Sequence, residues 1–159
     1  MAKNKQSQKE KLEQAPPFSL LEYGTSREVS LKEFRGRFVI LTFWVSWCPD
    51  CLRDLPKKEK LYHAMESNSD LAFLTINVTG REGDPDDGIR FMESYDFDFP
   101  VLRDIEQNVY DSYRCTSVPY TLLLNREHKI AKRFDDYSSF VEIALALNDL
   151  MAEEDEKDQ

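Results

Sequence analysis

Two cysteines separated by two residues, Cys48 and Cys51 in Trp47-Cys48-Pro49-Asp50-Cys51, stand where a hydrophobic run gives way to a helical pattern. At that spacing a mixed disulfide formed at one sulfur can be displaced by the other within one helical turn. Cys48 falls at a predicted N-cap, with Pro49 in the first helical position, where its missing N–H is no loss and its fixed φ is already helical. Unpaired amides and the positive end of the helix dipole favour a thiolate there, the species that attacks disulfides. Cys48 is therefore the predicted nucleophile, and Cys51, one turn further in, the more buried resolving thiol.

The elements that must hold this pair can be read from period and punctuation. Phe38 to Val45 is a β-branched and aromatic run, the pattern of a strand buried on both faces, and it leads straight into the pair. Pro49 to about Met65 reads as a helix with Leu52, Leu55, Leu61, Tyr62 and Met65 near one face and a kink at Pro56. Leu71 to Val78 reads as a second buried strand. Strand, helix and strand at these lengths predict a right-handed crossover and a parallel pair, with Cys48 at the carboxyl end of its strand. Upstream, Phe18 to Leu21 and the stretch around Val29 read as short strands, and Leu31 to Phe34 as one helical turn. Downstream, Thr79 to Gly88 is a loop, and Asp84 caps a helix that carries Pro85 in its first turn and ends near Tyr95. A short helix is predicted over Ile105 to Tyr113, and a hairpin joins Tyr120–Leu124 to Lys129–Phe134. Ser139-x-x-Glu142 opens a last helix whose Phe140, Ile143, Ala144, Leu147 and Leu150 face inward.

The 159 residues suit one domain. Residues 1–14 read as a flexible leader, 15–151 as the folded domain and 152–159 as an acidic, disordered tail. A net charge of −9 without a basic cluster excludes a nucleic-acid partner. Three cysteines do not make a disulfide framework, which leaves the close pair available for catalysis. Met1 to Gln14 has no apolar run, so the chain as written is expected to be cytoplasmic, monomeric and without a membrane segment. A signal or anchor removed from its N-terminus would make it extracytoplasmic instead.

Several further pieces follow one another in order: Ala15-Pro16-Pro17-Phe18-Ser19-Leu20, Val29 to Gly36, Phe43-Trp44-Val45-Ser46-Trp47-Cys48, Pro56, Phe99-Pro100-Val101-Leu102-Arg103-Asp104, Tyr113 and Ser117-Val118-Pro119-Tyr120-Thr121. The ordered set resembles the thioredoxin superfamily, and within it the TlpA/ResA-like, AhpC/TSA-related branch of thiol-disulfide oxidoreductases. The resemblance implies an α/β, thioredoxin-like fold: a central mixed β-sheet flanked by helices, with an N-terminal β-hairpin extension and a helical insertion. It implies a cis peptide bond between Val118 and Pro119 beside the redox pair, leaving the Val118 backbone to pair with an extended substrate. Trp47, Pro49, Asp50, Val118 and Pro119 are the expected substrate contacts, while Trp44 belongs to the core. Asp54 stands where the branch carries an acid near the dithiol. That position implies a proton acceptor for Cys51, given a pKa raised by partial burial.

Three positions depart from the resemblance. Pro49-Asp50 replaces the usual dipeptide between the cysteines, Thr42 occupies the place of a buried acid in thioredoxins, and Cys115 replaces a small apolar residue and is expected to pack as one. The expected activity is exchange with protein disulfides, in the reducing direction, using an upstream thiol reductant in cellular redox homeostasis. No cofactor beyond a Cys48–Cys51 disulfide and no metal is expected. A thiol peroxidase would need threonine and proline where the chain has Val45 and Leu41. A soft-metal site of the Cu(I) type would need a further ligand, and His128 in the hairpin turn is poorly placed to be one.

Overall fold

A computed structural model of the chain describes residues 11–157, so most of the leader, including Lys3, Lys5 and Lys9, lies outside the described residues. In chain order the strands are β1 (Ser19–Glu22), β2 (Glu28–Ser30), β3 (Phe38–Trp44), β4 (Leu71–Asn77), β5 (Val101–Arg103), β6 (Tyr120–Leu124) and β7 (Ile130–Phe134). The helices are α1 (Pro49–Met65), α2 (Asp87–Tyr95), α3 (Asn108–Ser112) and α4 (Phe140–Lys157). Leu31–Phe34 and Thr79–Arg81 form 3-10 turns.

Every residue of β3 and β4 is buried, as expected at the centre of a sheet covered on both faces. The two strands pair in parallel from Phe38 with Leu71 to Trp44 with Asn77, and α1 makes the crossover between them. The sheet order is β2-β1-β5-β4-β3-β6-β7. The β4–β5 pair is also parallel, while β6, β7 and the β1–β2 hairpin join antiparallel, giving the mixed α/β sheet with its N-terminal hairpin extension. Trp44, Tyr113, Phe38 and Phe43 are the largest fully buried apolar side chains.

Several local expectations change. On α1 the inward face is Cys51, Leu55 and Lys58, whereas Leu52 is exposed, because Leu52 sits a quarter turn away from the i, i+4, i+7 line. The N-cap of α2 is Asp86 rather than Asp84; the Asp84 carboxylate instead accepts the Asp86 amide at 2.8 Å and closes a turn ahead of the helix. The helix expected over Ile105–Tyr113 shrinks to α3, since Gln107 sits at φ 70° and the Asp104 carboxylate caps the Tyr110 amide at 2.8 Å.

At the ends, ordered contacts begin before residue 15. The Ile130 amide donates to the Glu13 carbonyl at 2.8 Å, and Gln14 bridges to Lys129. At the other end α4 continues through 152–157, which read as a disordered tail, in keeping with the high helix propensity of Ala, Glu and Lys. Among the described residues no helix is long and apolar enough to cross a membrane.

Candidate active site

The chain leaves β3 at Trp44 and enters α1 at Pro49, with Cys48 as the N-cap at φ −90°, ψ 119°. Extended backbone at that position lets the Cys48 carbonyl accept the first helical bond, from the Leu52 amide at 3.1 Å. Pro49 takes the first helical position and is exposed, and Asp50 lies in the first turn, paired with Arg53. Both cysteines are free, so this is the dithiol form; Cys51 is fully buried and Cys48 nearly so.

Across the site, the Val118–Pro119 bond is cis, and the Cys48 thiol donates to the Val118 carbonyl at 3.5 Å. The expected nucleophile and the expected substrate-binding segment thus touch directly. Burial pushes the Cys51 thiol far above its ordinary value, a backbone hydrogen bond with Val45 opposes this, and the neighbouring Cys48 and the charge of Asp54 add to it. Cys51 therefore stays a thiol until something offsets its burial.

Asp54 lies one turn after Cys51 with its side chain 15% exposed, and both of its oxygens accept from Lys58 Nζ, at 2.9 and 2.7 Å. Lys58 is fully buried and also donates to Thr121 Oγ1 at 3.2 Å. Thr42 Oγ1 lies 3.3 Å from the same hydroxyl. Thr42 thus closes a buried polar chain that runs to Asp54.

Trp47 is 55% exposed beside Cys48, and its indole N–H donates to the Arg81 carbonyl at 2.9 Å. The Arg81 guanidinium donates to the Tyr110 hydroxyl at 2.8 Å, and that hydroxyl donates to the Ser117 carbonyl at 3.2 Å. These contacts tie the Trp47 side of the site to the Val118–Pro119 side. Glu82 anchors the approach loop, accepting from the Ser46 amide at 2.8 Å, the Ser46 hydroxyl at 2.7 Å and the Asn77 side chain at 2.8 Å.

Sequence reasoning did not single out Lys58, Arg81, Glu82, Tyr110 or Thr121. Lys58 left a trace: a lysine on the apolar face of α1, four residues after an aspartate. Glu82 left none, because Ser46, the residue through which it reaches the site, lies 36 positions away. Cys115 is half-buried, and burial pushes its thiol up to about 12, which keeps it protonated at neutral pH. His128 is buried, with Nε2 2.8 Å from the Phe34 carbonyl, in the turn at the far end of β6 from Val118 and Pro119.

Residues 12–133 match the model of the AhpC/TSA family. Among curated proteins, the thiol-disulfide oxidoreductase ResA of Bacillus subtilis is 32% identical over 119 residues, covering 74% of this chain and 63% of ResA. The chain therefore spans a little under two thirds of that relative. Among solved structures, StoA of Bacillus subtilis is 26% identical with a TM-score of 0.68, covering 76% of this chain and 88% of StoA. The exposed lipoprotein thioredoxin Etrx1 of Streptococcus pneumoniae is also 26% identical, with a TM-score of 0.71, covering 85% of this chain and all of that one. The expected thioredoxin-like fold is the fold observed.

Proposed function

The chain belongs to the AhpC/TSA family, and from that premise we propose that it exchanges electrons with protein disulfides, as a reductase, through Cys48 and Cys51. The observation that carries this reading is the contact of the Cys48 thiol, at the N-cap of α1, with the Val118 carbonyl at 3.5 Å, while Cys51 waits one turn deeper and fully buried.

In the proposed cycle Cys48 loses its proton and its sulfur attacks one sulfur of a substrate disulfide. The second substrate sulfur leaves as a thiolate and takes a proton from solvent. Loss of the Cys48 proton also frees the Val118 carbonyl to accept a backbone N–H from an extended substrate strand, so nucleophile activation and substrate pairing are one event. Trp47, Pro49, Asp50 and Pro119, neighbours in the chain of Cys48 and Val118, are the further substrate contacts in this reading. Cys51 then loses its proton and attacks Cys48 Sγ; the bond from Cys48 to the substrate breaks, and the substrate leaves fully reduced. An upstream thiol returns two electrons to the Cys48–Cys51 disulfide.

The apolar, fully buried Leu41 and Val45, which occupy the positions a peroxidase needs for proline and threonine, favour exchange over peroxide reduction. His128, held at the far end of β6, offers the dithiol no third metal ligand. One structural relative is an exposed lipoprotein, which supports an extracytoplasmic workplace over the cytoplasmic one expected from the leader.

The test is substrate trapping. The Cys51→Ser variant is expected to accumulate mixed disulfides on Cys48, identifiable by mass spectrometry and concentrated in the extracytoplasmic fraction. A variant that traps nothing from either fraction, and does not exchange with glutathione, would end this reading.

A further inference from the structure

Lys58 is a costly residue for its position. The inward face of α1 at Cys51, Leu55 and Lys58 is otherwise apolar, and a leucine or methionine would fill the site without the desolvation penalty of a buried ammonium, which is several kcal/mol. Its surroundings nevertheless fit the charged form. An ammonium has three donors, and here two go to the Asp54 oxygens and one to Thr121 Oγ1. The remaining question is what this buried pair does beside a resolving thiol.

Asp54 by itself would hinder Cys51, because its negative charge raises the energy of a neighbouring thiolate. Lys58 acts the other way. Burial pulls the Lys58 ammonium below its ordinary value, and the charge and hydrogen bonds of Asp54 oppose this, as would a thiolate at Cys51; by reciprocity the ammonium favours that thiolate. Both Asp54 oxygens already accept from Lys58. We infer that Lys58 is a positioning residue for the resolving thiol: it holds Asp54 in an ion pair and cancels its charge, so that the buried Cys51 can ionise.

The pair is neutral as a unit, so Cys51 ionises against no net local charge, its proton passing to solvent past the part-exposed Asp54. Its electron pair forms the bond to Cys48 Sγ, and the substrate sulfur leaves with the electrons of the broken bond. Among the described residues, the titratable groups that act on Lys58 are Asp54 and Cys51 on its own helix; β6 presents the Thr121 hydroxyl and, beyond it, β3 the Thr42 hydroxyl.

The inference rests on the dithiol-exchange reading, and its test separates the two. A mixed disulfide between Cys48 and a small thiol is formed on the full chain, and its resolution by Cys51 is followed as a function of pH. Lys58→Met leaves Asp54 uncompensated and is expected to slow resolution about tenfold at a fixed pH, moving the pH profile up by about one unit. Lys58→Met with Asp54→Asn removes both charges and is expected to return within about threefold of the parent. Asp54→Asn alone is expected to be no slower than the parent. A purely structural lysine would lower the melting temperature without moving the profile, and the double variant would stay as slow as Lys58→Met; either result overturns the inference. Slower resolution in Asp54→Asn than in the parent also overturns it, in favour of Asp54 as the proton acceptor. If Asp54→Asn does not fold with its lysine unpaired, the comparison of Lys58→Met with the double variant still decides. A parent chain that resolves no mixed disulfide at all would instead refute dithiol exchange itself.

Discussion

A single hydrogen atom on Gly88 does more for the site than its distance from the cysteines suggests. A Cβ there would lie 2.7 Å from the Asn77 carboxamide, too close for any real contact. Asn77 accepts from Thr79 Oγ1 at 2.8 Å and donates to Glu82 at 2.8 Å, and Glu82 in turn holds both the amide and the hydroxyl of Ser46, two residues before Cys48. Gly88→Ala is therefore expected to lower stability by about 1–3 kcal/mol, read from the urea midpoint. It is also expected to slow disulfide reduction on the order of tenfold as the loop before Cys48 shifts. A lower midpoint with an unchanged rate would mean that the Asn77–Glu82–Ser46 chain supports the fold without positioning Cys48.

Among the elements, those with a strong local pattern were legible in the sequence. β3 and β4 are seven-residue runs that bury every side chain, and α1 has a proline at its first position and a cysteine at its N-cap. Those same signals located Cys48 and Cys51. β5 escaped because its three residues are too short to display a period; it exists by pairing with β4 and β1. α3 was overestimated because nothing local announces the positive φ of Gln107. The contact between Cys48 and Val118 joins residues 70 apart, so only the family resemblance could anticipate it. Lys58 was passed over because a lysine in a helix is ordinarily a solvated residue, and only its place on the inward face sets it apart.

At the scale of the whole molecule, three neighbouring strands in the order β4-β3-β6 deliver the site. β3 leads to Cys48, β4 leads to Arg81 and Glu82, and β6 begins just after Val118 and Pro119. The same core buries groups that resist ionisation. Burial raises the pKa of Cys51 from 9.0, of Cys115 from 9.0 to about 12 and of Tyr113 from 10.0. A raised value in the folded state means that their contribution to stability is fully present below the ordinary value and is lost as pH rises above it, because the unfolded chain then releases protons that the folded one retains. The urea midpoint of the reduced protein is expected to fall steadily above about pH 9, with Cys51 alone contributing about 1.4 kcal/mol per pH unit. Cys51→Ser should show a shallower decline, and a midpoint that stays level from about pH 8 to 10.5 would contradict this account of the core.

The central claim is electron exchange with disulfides through this one pair of sulfurs. It is tested most directly by a single turnover of the reduced chain with a disulfide-linked peptide, quenched with acid and analysed by mass spectrometry. The account predicts one equivalent of reduced peptide for each chain, a Cys48–Cys51 bond in the product and Cys115 still free. An unreduced peptide, or a product oxidised at Cys115 with the pair intact, would contradict it.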